Sequence, residues 1–218
     1  WLSLGFEVPL CLLLVLCGCY LCFTGRTTLA ALPLAAATLT RADGLIPTGV
    51  LFLYALFHNR REANGQRLRA KGFHSSATHF ALVYLLALAP ALVWLTLYFG
   101  SPVPVTLAAK NAQTALGVTG FYAGTTFVQG AMILAKAWFS QTPLYGLLAL
   151  AALAGFAAAI WKARWAMVFF AWAALYGLGY HLLHVAPYHW DYAPFVPAAA
   201  ILAGLGVAWA GEAVARVS

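Results

Sequence analysis

Acidic side chains are almost missing from this sequence: there are five in 218 residues, Glu7, Asp43, Glu62, Asp191 and Glu212. Charge of both signs makes up only 8% of the chain, where an ordinary soluble domain carries roughly a quarter. So thin a supply excludes a water-exposed globular surface, and with 64% hydrophobic residues it leaves an integral membrane protein. Sustained alternation of apolar and polar residues is also lacking, which excludes a transmembrane barrel. Long Ala- and Leu-rich runs approach instead the roughly 20 residues that carry a helix across a bilayer. Cysteine is confined to one apolar run, Cys11, Cys17, Cys19 and Cys22, with no histidine at a zinc-ligand spacing. Side chains strung along one helix pair poorly as disulfides, so these four read as small packing residues. No basic segment precedes the first apolar run and the first residue is Trp1, so the chain is expected to be the C-terminal part of a longer protein.

Hydropathy and the Gly, Pro and charge punctuation predict an all-α, polytopic transmembrane bundle of about seven spans, two of them short. They run from Val8 to Phe23, Thr28 to Leu39, Leu45 to Phe57, Phe80 to Phe99, Pro143 to Ile160, Trp165 to Leu183 and Pro194 to Ala210, with Pro90 expected to kink the fourth. Residues 1–218 read as a single transmembrane domain, with a basic loop at 58–78 and a semi-polar segment rich in Gly, Thr and Ala at 100–142.

The basic residues sort the loops. Arg60, Arg61, Arg67, Arg69 and Lys71 stand against Glu62 alone in the 58–78 loop, which places it in the cytoplasm. Alternation then puts Arg26, Lys162, Arg164 and Arg216 on the same side, so orientation accounts for the net charge of +7 and no nucleic-acid partner is called for. Glu7, Asp43, residues 100–142 and the stretch 184–194, "HVAPYHWDYAP", fall on the opposite, outer face.

Four outer elements resemble, in order, those of the C-type membrane glycosyltransferases (GT-C). "GFEVPL" at 5–10 resembles Gly-Met-Glu-Thr-Pro-Leu; "LTRADG" at 39–44 resembles Leu-Thr-Arg-Pro-Asp-Gly; "YFGSPVPVTLAAKNAQ" at 98–113 resembles Tyr-Phe-Gly-Ser-Pro-Leu-Pro-Asn-Thr followed by Ala-Lys. "YHWDYAPFVPAAAILAGLG" at 188–206 resembles Trp-Tyr-Tyr-Ala-Pro-Leu-x-Pro-Ala. The likeness is nearest to bacterial terminal arabinofuranosyltransferases, and more distant to mannosyl and aminoarabinose transferases. It departs at Ala42, where the family has Pro, and at Val105, where it has Asn. It implies a GT-C-like bundle in the bacterial cytoplasmic membrane that moves a sugar from a polyprenyl-phosphate carrier to a glycan, lipid or protein acceptor at the periplasmic or extracellular face, with membrane lipids around it. It also implies that the catalytic carboxylate lies in an outer loop upstream of Glu7, so that these residues alone are expected to be inactive. The reaction implied is a single displacement with inversion, and a divalent cation stays open as a cofactor.

Each candidate residue has two readings. Arg41 and Asp43 flank Ala42 between short apolar runs; they form either a structural ion pair with Asp43 as helix N-cap or, through Arg41, a phosphate contact. Glu7 suits a helix N-terminus by its charge or, as the resemblance implies, supports a donor pocket. Lys110 either reaches lipid headgroups or neutralises a departing phosphate. His184, His189, Trp190, Asp191 and Tyr192 form either an aromatic belt at the membrane boundary or a sugar site, with rings for stacking and His189 and Asp191 for hydroxyls. The spacings of His181, His184 and His189 match no metal motif, and no metal site is expected. A transporter or channel subunit and a non-catalytic membrane protein are the competing classes, against which stand the lack of internal repeats and the scarcity of charge inside the spans.

Overall fold

The computed structural model describes residues 7–65, 73–102, 112, 126–184 and 188–216, with the side chains of 58–65 and 73–75 left aside. The long elements among the described residues are all helices. The chain divides into two compact units, Trp1–Ala109 and Lys110–Ser218.

The first unit holds α1 (Glu7–Phe23), α2 (Thr27–Thr40), α3 (Leu45–Gly65) and α4 (Phe73–Phe99). The α1–α2 hairpin turns at Gly25, whose φ of +80° only glycine adopts without strain. There the Arg26 N–H donates to the Leu21 carbonyl and the Gly25 N–H to that of Cys22, a pair of bonds that closes a helix end. The helices then pack closely: a Cβ on Gly18 would lie 2.6 Å from Leu34 Cγ. Cys11, Cys19 and Cys22 are buried, Cys17 is exposed, and all four are free thiols. Between α2 and α4, Thr38 Oγ1 and Tyr84 Oη are 2.8 Å apart. Residues 58–65, expected in the basic loop, continue α3, where Arg, Glu and Ala favour the helix, and 73–78 open α4; hydropathy alone marks only the apolar part of a helix.

The second unit holds α5 (Phe127–Gln141), α6 (Leu144–Trp161), α7 (Met167–Leu182) and α8 (Phe195–Ala215), with short 3-10 turns at Arg164–Ala166 and His189–Tyr192. Helix α5 falls within the segment read from sequence only as semi-polar. The tightest pairing is α6 on α8. A Cβ on Gly155 would sit 1.7 Å from the Leu202 carbonyl oxygen, and one on Gly206 would sit 1.8 Å from that of Ala151. Small residues bring two membrane helices this close when no side chain intervenes. Lys162 at the end of α6 pairs with Glu212 at the end of α8 at 2.8 Å, so the two helices run parallel.

Four helical stretches among the described residues are long and apolar enough to cross a membrane: Ser76–Phe99, Leu144–Trp161, Arg164–Leu182 and His189–Ala215. Glu7–Phe23, Thr27–Thr40 and Ala42–Phe57 are shorter apolar helices. Leu85 in α4 is 60% exposed and Leu153 in α6 is 67% exposed. Large apolar side chains turned outward along such helices suit hydrocarbon rather than water.

Candidate functional site

Each unit gathers polar or aromatic groups at helix ends, and each gathering is built differently. In the first unit α2 stops at Arg41, whose backbone is extended (φ −147°, ψ +131°), and a 3-10 turn over Ala42–Gly44 leads into α3. Gly44 has no room for a side chain, since a Cβ would lie 2.8 Å from the Ala37 carbonyl. This tight reversal folds the Arg41 guanidinium onto Asp43: Nε donates at 3.1 and 3.2 Å and Nη2 at 2.8 Å. Its Nη1 donates to Glu7 on α1 at 3.3 Å. Arg41 is 9% exposed, Asp43 14% and Glu7 51%.

The structure thus brings Glu7 to the Arg41–Asp43 pair across 34 positions of sequence from Arg41. The Asp43 and Glu7 carboxylates engage the Arg41 guanidinium in a structural tie. The Asp43 carboxylate is turned to Arg41, and no side chain caps the start of the 3-10 turn. Glu7 keeps its carboxylate accessible.

In the second unit the turn at His189–Tyr192 is closed by a reciprocal pair of bonds. The Asp191 N–H donates to the Tyr188 carbonyl at 3.0 Å, and the Tyr188 N–H to Asp191 Oδ2 at 3.4 Å. Asp191 is completely buried, and its carboxylate closes the turn. The turn presents a ring platform: Tyr188 stacks on Trp190 with centroids 4.8 Å apart and planes 12° apart, and His189 meets Trp190 edge-on at 4.6 Å.

Tyr192 points elsewhere. It is buried, stacks on Phe127 at 4.7 Å, and its hydroxyl donates to the Phe127 carbonyl at 2.7 Å. Tyr176, Tyr180 and Phe195 complete this inner cluster. Sequence reasoning missed the cluster, although the i, i+4 spacing of Tyr176 and Tyr180 was a readable sign of one aromatic helix face. His184 is exposed, takes a left-handed backbone (φ +50°), and directs Nδ1 to the Leu182 carbonyl at 3.0 Å, with its ring 6.5 Å from that of His181. Lys110 lies outside the described residues. Among the described residues no group of three His, Cys, Asp or Glu is placed to hold a metal.

Comparison of the chain with family models, with curated proteins and with solved structures gives no match. Its functional reading therefore stands on its own residues.

Proposed function

We propose that the chain is the membrane part of a glycosyltransferase that takes a sugar from a polyprenyl-phosphate carrier and delivers it to an acceptor outside the cytoplasm, within a GT-C-like bundle of about seven spans in a bacterial cytoplasmic membrane. The observation that carries the reading is the Tyr188–Trp190 platform with His189 at its edge, set where a spanning helix begins. Flat aromatic faces bind the apolar faces of sugar rings, an imidazole bonds hydroxyls, and a site at a helix end is within reach of a lipid-borne donor. The ordered likeness of four sequence elements to the C-type enzymes supports the same chemistry.

In this reading Asp191 holds the platform turn, and Arg41 holds α1 against the α2–α3 reversal and leaves the accessible Glu7 carboxylate for a hydroxyl. A lipid phosphate is already a good leaving group, so positioning supplies much of the rate, and few acids are needed. The test uses membranes carrying the full-length protein, a radiolabelled polyprenyl-phosphate sugar and endogenous acceptors. Label is expected in a new glycoside, and Trp190→Ala is expected to cut transfer at least tenfold, about 1.4 kcal/mol in the barrier, at unchanged melting temperature. Transfer from nucleotide sugars alone would overturn the reading, as would passage of label across the membrane without a new glycosidic bond, which is the behaviour of a transporter.

A further inference from the structure

Helix α5 is fastened at both ends to one level of the second unit. At its N-terminus Phe127 stacks on Tyr192 at 4.7 Å, accepts the Tyr192 hydroxyl bond, and lies 6.3 Å from the ring of Phe195, the first residue of α8. Toward its C-terminus Trp138 stacks on Tyr145, the second residue of α6, with centroids 6.0 Å apart. Helices α6 and α8 run parallel, so their N-terminal ends are the same end. A helix of about 22 Å tied there twice lies across the ends of its neighbours, not alongside them. Those neighbours are of spanning length, so in a bilayer this level would be where the hydrocarbon stops.

The residues of α5 divide into three successive sectors at 100° per residue. Phe127 and Gly130 are buried against the unit, with Ala131 and Leu134 half-buried. Next come Val128, Met132 and Phe139, exposed by 45%, 66% and 51%. Beyond them lie Gln129, Lys136 and Ser140, all exposed, with Ile133 the apolar exception. The N-terminus is fixed by a capping box: the Gln129 N–H donates to Thr126 Oγ1 at 3.3 Å, and the Thr126 N–H to Gln129 Oε1 at 2.9 Å.

We propose that α5 is an interfacial helix whose partner is the lipid surface itself. Val128, Met132 and Phe139 enter the boundary between headgroups and acyl chains, to about 5–10 Å, and Lys136 meets the lipid phosphates. The protein wall, the apolar stripe and the polar stripe follow one another around the helix in the order that the bundle, the hydrocarbon edge and water would require. The proposal stands independently of the glycosyltransferase reading, because it needs only the membrane.

The test places spin labels through Met132→Cys, Ser140→Cys and Leu153→Cys, each in a background with alanine at 11, 17, 19 and 22, in lipid nanodiscs. The ratio of oxygen to nickel-chelate accessibility at 132 is expected to exceed that at 140 severalfold and to fall below that at 153, in mid-α6. A label at 132 as nickel-accessible as the one at 140 overturns the proposal, and so does one as deep as 153. Should the alanine background lose its cooperative melt, hydroxyl-radical footprinting of the unaltered protein decides. Met132 is expected to oxidise severalfold more slowly in nanodiscs than after unfolding in detergent, and equal rates would overturn the proposal.

Discussion

The two units solve the same problem, holding helices together where hydrocarbon gives them no hydrophobic reason to associate, by different means. The first uses polar ties between distant segments: Arg41 between Glu7 and Asp43, and Thr38 with Tyr84 at 2.8 Å. The second relies mainly on contact, with backbone pressed on backbone at Gly155 and Gly206 and the rings of Tyr176, Tyr180, Tyr192 and Phe195 clustered around Phe127. Its Lys162–Glu212 ion pair lies on the exposed side, at 48% and 55%. In the first unit these ties involve the two short helices α1 and α2, of 17 and 14 residues, whereas α6 and α8 of the second run small residues against each other.

If contact carries the second unit, removing the room for contact should do the most damage. Gly206→Leu forces a side chain into the Ala151 carbonyl, and even the first carbon would sit 1.8 Å from that oxygen. The expected loss is about 3 kcal/mol, the upper end for overpacking, seen as a lower unfolding midpoint in detergent titration. An unchanged midpoint would mean that α6 and α8 do not pack as described.

The polar tie of the first unit comes next. Arg41→Ala leaves Asp43, 14% exposed, without its guanidinium. We expect a loss of about 2–3 kcal/mol, less than the roughly 3–5 for a fully buried pair because Glu7 remains hydrated. Arg41→Lys should restore only a part, since an ammonium cannot hold Asp43 through two nitrogens and reach Glu7 as well. Full rescue by lysine would reduce the tie to simple charge.

How much of this contrast the sequence carries follows from the range of each interaction. Helix class and membrane embedding were legible because they depend on composition and on runs of neighbouring residues. The turn at Gly25 was legible for the same reason, "TGR" being a local signal. The Arg41–Asp43 pair was also within reach, two positions apart. The Glu7 contact was not, since nothing local says which of several cations meets it. Two residues of the 188–192 turn are buried, which the sequence does not show. Asp191 and Tyr192 look like ligand-facing groups in sequence, yet one closes the turn and the other fastens α5, while Tyr188, less prominent in that stretch, pairs with Trp190. Helix α5 escaped notice because its Gly, Gln, Lys and Ser dilute the hydropathy, and an amphipathic helix in the interface has no need of a continuous apolar run.

A smaller effect sharpens the aromatic side of the comparison. Tyr192→Phe keeps the stack on Phe127 and deletes only the hydroxyl that donates to the Phe127 carbonyl at 2.7 Å. A loss of about 1 kcal/mol is expected, concentrated locally as faster amide exchange in the first turn of α5 with α6 and α8 unaltered. Equal acceleration throughout the unit would show that the hydroxyl supports the whole bundle and not one helix end.

The smallest effect is expected at Lys162 and Glu212, and it is the sharpest check on burial as the deciding variable. This pair is as short as Arg41 with Asp43, 2.8 Å in both cases. If distance set the strength, Lys162→Ala would cost as much as Arg41→Ala. Water and salt screen exposed charges, and two long side chains lose freedom when they pair, so exposed ion pairs contribute little. Lys162→Ala is therefore expected to leave the unfolding midpoint unchanged at both low and high salt, whereas Arg41→Ala lowers it at both. A salt-insensitive drop for Lys162→Ala comparable to that of Arg41→Ala would break the contrast, because the second unit would then depend on an ion pair as the first does.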